Sequence, residues 1–246
     1  MKKGAKFILV IAVILIIFSA ARLTHIALQY RTGKSGYSAL EQSVIKKAPA
    51  QQSAVQGAAP LSVDFTALLR QNPDTAAWLY SENTAINYPV MYSGDNEKYL
   101  RALPDLSYYI GGTPFIDFRC APDFSCRNTI IYGHHMYDGS MFGSLKAYKE
   151  QSYYESHPEL YILTPEKSFA VRLLYGYVTY AGDKNTYTVP ETDEDTKRLA
   201  EYAAGKSLFH SATEYEYGAR LVTLSTCSKD FSGARFVLIG EISALN

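Results

Sequence analysis

Two apolar, β-branched runs near the C-terminus constrain this chain more than any other stretch: Leu221-Val-Thr-Leu-Ser-Thr-Cys227 and Arg235-Phe-Val-Leu-Ile-Gly-Glu-Ile242. Residues of this kind favour strands. Between them, Ser228-Lys-Asp-Phe-Ser-Gly-Ala234 carries the Asp, Ser and Gly of a hairpin loop. Antiparallel pairing would set the residue that closes the first strand beside the residue that opens the second. The Cys227 thiol and the Arg235 guanidinium then meet at one end of a sheet. A fixed cation beside a thiol favours the thiolate, the nucleophilic form. The same guanidinium offers donors for a developing oxyanion. A histidine from elsewhere in the chain would serve as general base.

At 246 residues and 47% hydrophobic content the chain can bury one good core. Lys+Arg and Asp+Glu both number 24, so electrostatics gives no case for binding nucleic acid. The 21 tyrosines suit strands, and to a lesser degree a surface for peptide or glycan.

Met1 to Lys6 is basic and Phe7 to Ala21 is free of charge. Arg22 interrupts the run, but Leu23 to Leu28 extends it if the Arg22 side chain snorkels. Two readings stand: a signal peptide cleaved near Ser19-Ala-Ala21, or an uncleaved anchor with Lys2, Lys3 and Lys6 held inside. The anchor is the preferred one, and either puts the remainder outside the cytoplasm. In that compartment Cys120 and Cys126, five residues apart in between, could close a disulfide, leaving Cys227 unpaired; spacing alone equally allows two reduced thiols.

Residues 1–29 therefore read as basic tip and transmembrane segment, 30–61 as a flexible stalk rich in Ala, Gln and Ser, and 62–246 as the folded domain. Leu40 to Lys47 allows a helical turn or two within the stalk. Ser62 is the expected N-cap of a helix through Leu69 that Asn72-Pro73 ends. Strands are expected over 76–80, 85–92, 112–118, 128–132, 160–164 and 169–181, with a helix marked by Met141, Phe142, Leu145 and Tyr148. Thr192-Asp-Glu-Asp195 looks like a capping box, opening a helix with Leu199, Tyr202 and Ala203 on one face. About eight short strands and few helices favour a mostly β chain closed into a barrel.

Thr223-Leu-Ser-Thr-Cys227 followed eight residues later by Arg235 resembles the signature of sortases, and Ile131-Tyr-Gly-His-His-Met136 with Met141-Phe-Gly-Ser-Leu145 resembles their class B branch. The resemblance spans about residues 63 to 242. It implies an eight-stranded β-barrel with an N-terminal helix and a further helix between the sixth and seventh barrel strands, supplied here by residues 181 to 219.

On this resemblance Cys227 is the nucleophile, His134 the acid/base and Arg235 the oxyanion and substrate-positioning group. Alone, a Cys closing a strand is more often a small buried hydrophobe. The family histidine directly follows the Gly, which selects His134; His135 is assigned to packing or support. The His pair lacks His-Glu-x-x-His or Cys-x-x-Cys company, so no metal is expected. Ser225 and Thr226 belong to the segment that lines the family's sorting-signal groove, and strand alternation puts Thr223 and Ser225 on the Cys227 face. Asn96 and Leu100 resemble a class B substrate-pocket segment. Thr179 and Tyr187 fall where the family meets its peptide.

The implied reaction is transpeptidation without a cofactor: cleavage of a C-terminal sorting signal after Thr through a Cys thioester, then transfer to an amine of lipid II or a peptidoglycan cross-bridge. Such an enzyme is a single-pass protein of the cell membrane with its catalytic domain outside. The sorting signal is either Asn-Pro-Gln-Thr-Asn-like or of the Pro-x-Thr-Gly type. A cysteine peptidase that hydrolyses the same acyl-enzyme shares every catalytic residue. A pilin-polymerising sortase is disfavoured, because such enzymes usually carry a lid segment before the barrel. A tyrosine-rich binding module with a spent site is the non-enzymatic alternative, against which the joint presence of Cys227, His134 and Arg235 argues.

Overall fold

A computed structural model describes residues 3–47 and 59–245. Helix α1 runs from Lys3 to Val44 and is followed by β1, Ile45–Lys47, which pairs antiparallel with β2, Leu61–Val63. Helix α2 is Phe65–Gln71, β3 is Thr75–Tyr80, β4 is Asn87–Met91, β5 is Phe115–Ile116 and β6 is Asn128–Tyr132. A 3₁₀ segment over Phe142–Lys149 leads into α3, Gln151–Ser156. Then come β7, Glu159–Leu163; β8, Ser168–Tyr180; α4, Asp193–Ala204; β9, Arg220–Cys227; and β10, Ala234–Ala244.

Strands β3 to β10 close a barrel in the order β10-β8-β7-β3-β4-β5-β6-β9, with β9 returning to β10. It has eight strands and is mixed: β4 with β5 and β6 with β9 run parallel, the other pairs antiparallel. This is the barrel the sequence predicts, with α4 in the connection between its sixth and seventh strands, here β8 and β9. Side chains alternate across each strand. Val222 and Leu224 of β9 and Phe236 and Leu238 of β10 enter the barrel core with Leu79, Val90, Ile130 and Phe169. Their neighbours Leu221, Val237 and Ile239 face outward, beneath Leu199 and Ala203 of α4. Both faces of the final hairpin are thus covered, which explains why it reads as nearly continuous apolar sequence.

Local chemistry sets the helix ends. Asp64, rather than the expected Ser62, caps α2 and accepts the Ala67 N–H at 2.9 Å. Ser62 is instead paired in the β1–β2 ribbon, opposite Lys46. The residue before proline disfavours helical backbone, and Asn72 is extended there. Thr192 caps α4 through the Asp195 N–H at 3.1 Å, and three acids in the first turn complement the helix dipole.

The structure decides two further readings, one of them left open by the sequence. The segment read as a flexible stalk is helical up to Val44, with Tyr37, Leu40 and Val44 buried against the folded domain; its residues 48–58 lie outside the described residues. Small and polar residues hid this helix because it buries only a narrow stripe. The disulfide is not formed either: Cys120 and Cys126 are free thiols. The Cys120 sulfur turns inward to the Ile130 N–H at 3.5 Å, whereas the Cys126 sulfur accepts the Ala121 N–H at 3.0 Å. Each sulfur has its own backbone partner.

A buried leucine on β9 tests the barrel core. Leu224→Ala should destabilise the fold by about 2–5 kcal/mol, lowering the urea midpoint with little change in slope. Leu208→Ala, at an exposed position, should stay within about 0.5 kcal/mol of wild type.

Candidate active site

Cys227 closes β9 and Arg235 lies directly opposite it near the start of β10. The ladder continues outward, pairing Arg235 with Thr179 of β8. Alternation places Cys227, Ser225 and Arg235 on the outer face shared by Leu221 and Val237. The intervening loop is tied down: Asp230 takes both the Ser228 hydroxyl and the Lys149 ammonium, the latter at 2.6 Å. Lys229 stacks over the Tyr137 ring at 3.8 Å.

The histidine arrives from the parallel neighbour. Tyr132 pairs with Ser225, and Gly133 extends that ladder by donating its N–H to the Ser225 carbonyl at 3.0 Å. A Cβ on Gly133 would stand 2.4 Å from the Phe142 ring, so only glycine lets the chain pass here. The carbonyl of His134 then accepts the Phe142 N–H at 3.0 Å, folding the 134–142 loop back on itself.

These residues line one groove of about 280 Å³, which contains Cys227, His134 and Arg235 together with Asn96, Leu100, Tyr187, Ser225 and Thr226. The thiol is exposed and His134 is half-buried. His135 points elsewhere, edge-on to Tyr137, with its Nδ1 buried and unpartnered. Burial, reinforced by Arg101 and His135, holds the His134 imidazole below its ordinary value. Burial likewise lowers His135, with Lys146, Lys229 and Lys149 adding to it. The guanidinium of Arg235 curls over its own strand start, donating to the Ala234 carbonyl at 3.1 Å. Its remaining N–H groups are available to the groove.

Among the expected substrate-contacting residues, Thr179 is not in the groove lining. It is buried and gives its hydroxyl to Asp183. Asp183 also accepts the Thr186 and Tyr202 hydroxyls, both at 2.8 Å, and anchors the start of the β8–β9 connection. Burial alone would raise the Asp183 carboxyl, but these bonds outweigh it and the net shift is downward. Thr226 borders the groove while its hydroxyl is buried without a partner; the Ser225 hydroxyl bonds the Tyr187 phenol at 2.8 Å.

Sequence reading missed Tyr132, Thr113 and Phe115 in the lining, and the network beneath it. The Tyr132 phenol donates to buried Asp117 at 2.8 Å; Arg119 grips the same carboxylate at 2.7 and 2.9 Å and donates to the Tyr187 carbonyl at 3.2 Å. Tyr187 is thereby fixed at both its phenol and its backbone. Asp117 and Arg119, two residues apart just past the short strand β5, were the only trace of this in the sequence.

The barrel and its thiol-bearing groove define the class, a cysteine transpeptidase with the sortase fold. No family model matches the chain. It is 30% identical over 180 residues to sortase B of Listeria monocytogenes serovar 1/2a, covering 71% of this chain and 72% of the relative. It is 27% identical to sortase B of Staphylococcus aureus across 98% of both chains. The solved structure of a Staphylococcus aureus sortase B–substrate complex superposes with a TM-score of 0.70 at 27% identity, covering 88% of this chain and 95% of that one. The chain belongs to the sortase B family.

Two outcomes follow from the groove. Tyr187→Phe removes one hydrogen bond, worth about 0.5–1.5 kcal/mol, and should raise KM roughly two- to tenfold in peptide-cleavage kinetics while kcat changes little. The imidazoles of His134 and His135 should titrate by NMR below their ordinary value, and Arg101→Gln should move His134 upward. Because both folded values are depressed, their contribution to stability is complete above the unfolded value and is lost as pH falls through the folded ones. Acid titration followed by circular dichroism reads that sign.

Proposed function

We propose that Cys227 is the nucleophile, His134 the acid/base and Arg235 the oxyanion-positioning group of a membrane-anchored sortase that cleaves a sorting signal after Thr and joins the surface protein to a cell-wall amine. The observation that carries the reading is the Cys227–Arg235 register, with His134 lining the same groove. The Cys227 thiolate attacks the Thr carbonyl carbon and its electrons move onto oxygen, where Arg235 donates to the oxyanion. As the C–N bond breaks, protonated His134 gives its proton to the departing amine, leaving a thioester. An incoming amine then attacks the thioester and gives a proton to neutral His134. The tetrahedral species collapses with expulsion of the thiolate, forming a new amide and restoring both side chains. Asn96, Leu100, Tyr187 and Ser225 are assigned to holding the peptide.

The acceptor is assigned to lipid II or a peptidoglycan cross-bridge. For anchoring, α1 supports the reading, since it is long and apolar enough to cross a membrane and its N-terminal stretch is exposed. Residues 1–29 would then comprise tip and span, with Lys3 and Lys6 inside and residues 62–246 as the extracytoplasmic catalytic domain.

The test compares wild type with Cys227→Ala, His134→Ala and Arg235→Ala on quenched fluorescent peptides of both signal types, with and without glycine or diaminopimelate-type amines. Wild type should give a thioester mass on Cys227 and an amine-joined product cut after Thr. Cys227→Ala and His134→Ala should be silent, and Arg235→Ala should lose about 100-fold or more in kcat. Hydrolysed product alone with every amine points to the peptidase instead. Activity surviving in Cys227→Ala sinks the assignment.

A further inference from the structure

Helix α1 touches one wall of the groove from behind and, through Tyr88, reaches the loop that carries His134. On one side, the buried Tyr37 phenol donates to the Gly112 carbonyl at 2.6 Å and lies 2.8 Å from the Thr113 hydroxyl. Gly111 and Thr113 line the groove. On the other, the Tyr37 ring packs edge-on against Tyr88, with centroids 5.1 Å apart. The Tyr88 phenol accepts the Met141 N–H at 3.1 Å. Met141 sits at φ +53°, in a region that non-glycine residues occupy only when their surroundings hold them. It bridges to His135, and its neighbour Phe142 bonds the His134 carbonyl. A line of contacts therefore runs from α1 through Tyr88 to the loop that carries His134.

The helix is shaped for this approach. A Cβ on Gly33 would lie 2.2 Å from the Tyr109 ring, so the helix rests directly on that ring. Glycine weakens a helix interior, and its presence here is explained by the close contact. Around these points a cavity of about 410 Å³ separates the helix from the barrel. Docking in this stretch thus depends on few side chains.

We propose that Tyr37 is a positioning residue for the transpeptidase reaction. Docked through Gly33 and Tyr37, α1 holds the Gly111–Thr113 wall and the His134-bearing loop in their working arrangement. The effect on chemistry rests on the role given to His134 above; the docking does not.

The experiment uses the full-length chain in detergent micelles, with kinetics on the preferred sorting peptide and amide exchange read by mass spectrometry. Tyr37→Phe keeps the ring and loses the hydroxyl bonds, and should raise KM about two- to tenfold. Gly33→Leu wedges the helix off Tyr109, and should lower kcat at least tenfold, move the His134 limb of the pH profile and speed exchange across 134–142. Tyr88→Phe, which frees the Met141 N–H, should reproduce the kcat loss. Leu160→Ala, in the barrel core and outside the groove lining, should lower thermal stability with kcat and KM unchanged. Wild-type kinetics and pH profile in both Tyr37→Phe and Gly33→Leu, or unchanged exchange across 134–142, overturn the proposal. A wild-type chain that turns over no peptide tells against the reading of the groove, and the exchange result then decides the docking alone.

Discussion

The pairing register of β9 with β10 carries the rest of the site. Because Cys227 lies opposite Arg235, the residues that bear a thiol and a guanidinium sit side by side at one end of the barrel, with backbone hydrogen bonds fixing the spacing of their main chains. Period-2 alternation makes this strict: a slip of one residue would turn one of the two into the barrel core. The apolar residues on both sides of the hairpin resist that slip. Val222, Leu224, Phe236 and Leu238 require the barrel interior, while Leu221, Val237 and Ile239 require the cover of α4. Packing energy along the strands is thereby converted into chemical geometry at their ends.

The parallel β6–β9 pair adds the third group by the same means. Its ladder ends with Tyr132 opposite Ser225 and the Gly133 N–H on the Ser225 carbonyl, delivering His134 to the groove that holds Cys227. Tyr187 then joins the β8–β9 connection to β9 through Ser225 and to the β5–β6 region through Arg119. Three stretches distant in sequence converge, two through backbone ladders and one through a doubly fixed tyrosine.

What could be read from the sequence tracks how local its cause is. The hairpin, the strand leading to Gly133 and the capping box at Thr192 are each specified by a short pattern of residue types, and each appears where the pattern places it. Asp64 outcompetes Ser62 as the α2 cap because Ser62 is drawn into a ribbon with Lys46, a pairing that no local pattern around the helix start announces. Thr179 looks like a groove residue along its strand, but the carboxylate of Asp183 draws its hydroxyl inward. The helical character of residues 30–44 was obscured because its apolar residues are sparse; its stability comes from tertiary contacts at Tyr37, Leu40 and Val44.

The barrel is unevenly sewn. Strands β8 and β10 share eleven register pairs, whereas β5 meets β4 at Met91–Phe115 alone and meets β6 at two positions. Phe115, at that thin seam, also lines the groove. Parting the sheet there breaks few ladder bonds, leaves the long antiparallel strands intact and opens onto the groove. The longest ladder and the shortest therefore belong to the same closed sheet, and the shortest borders the groove.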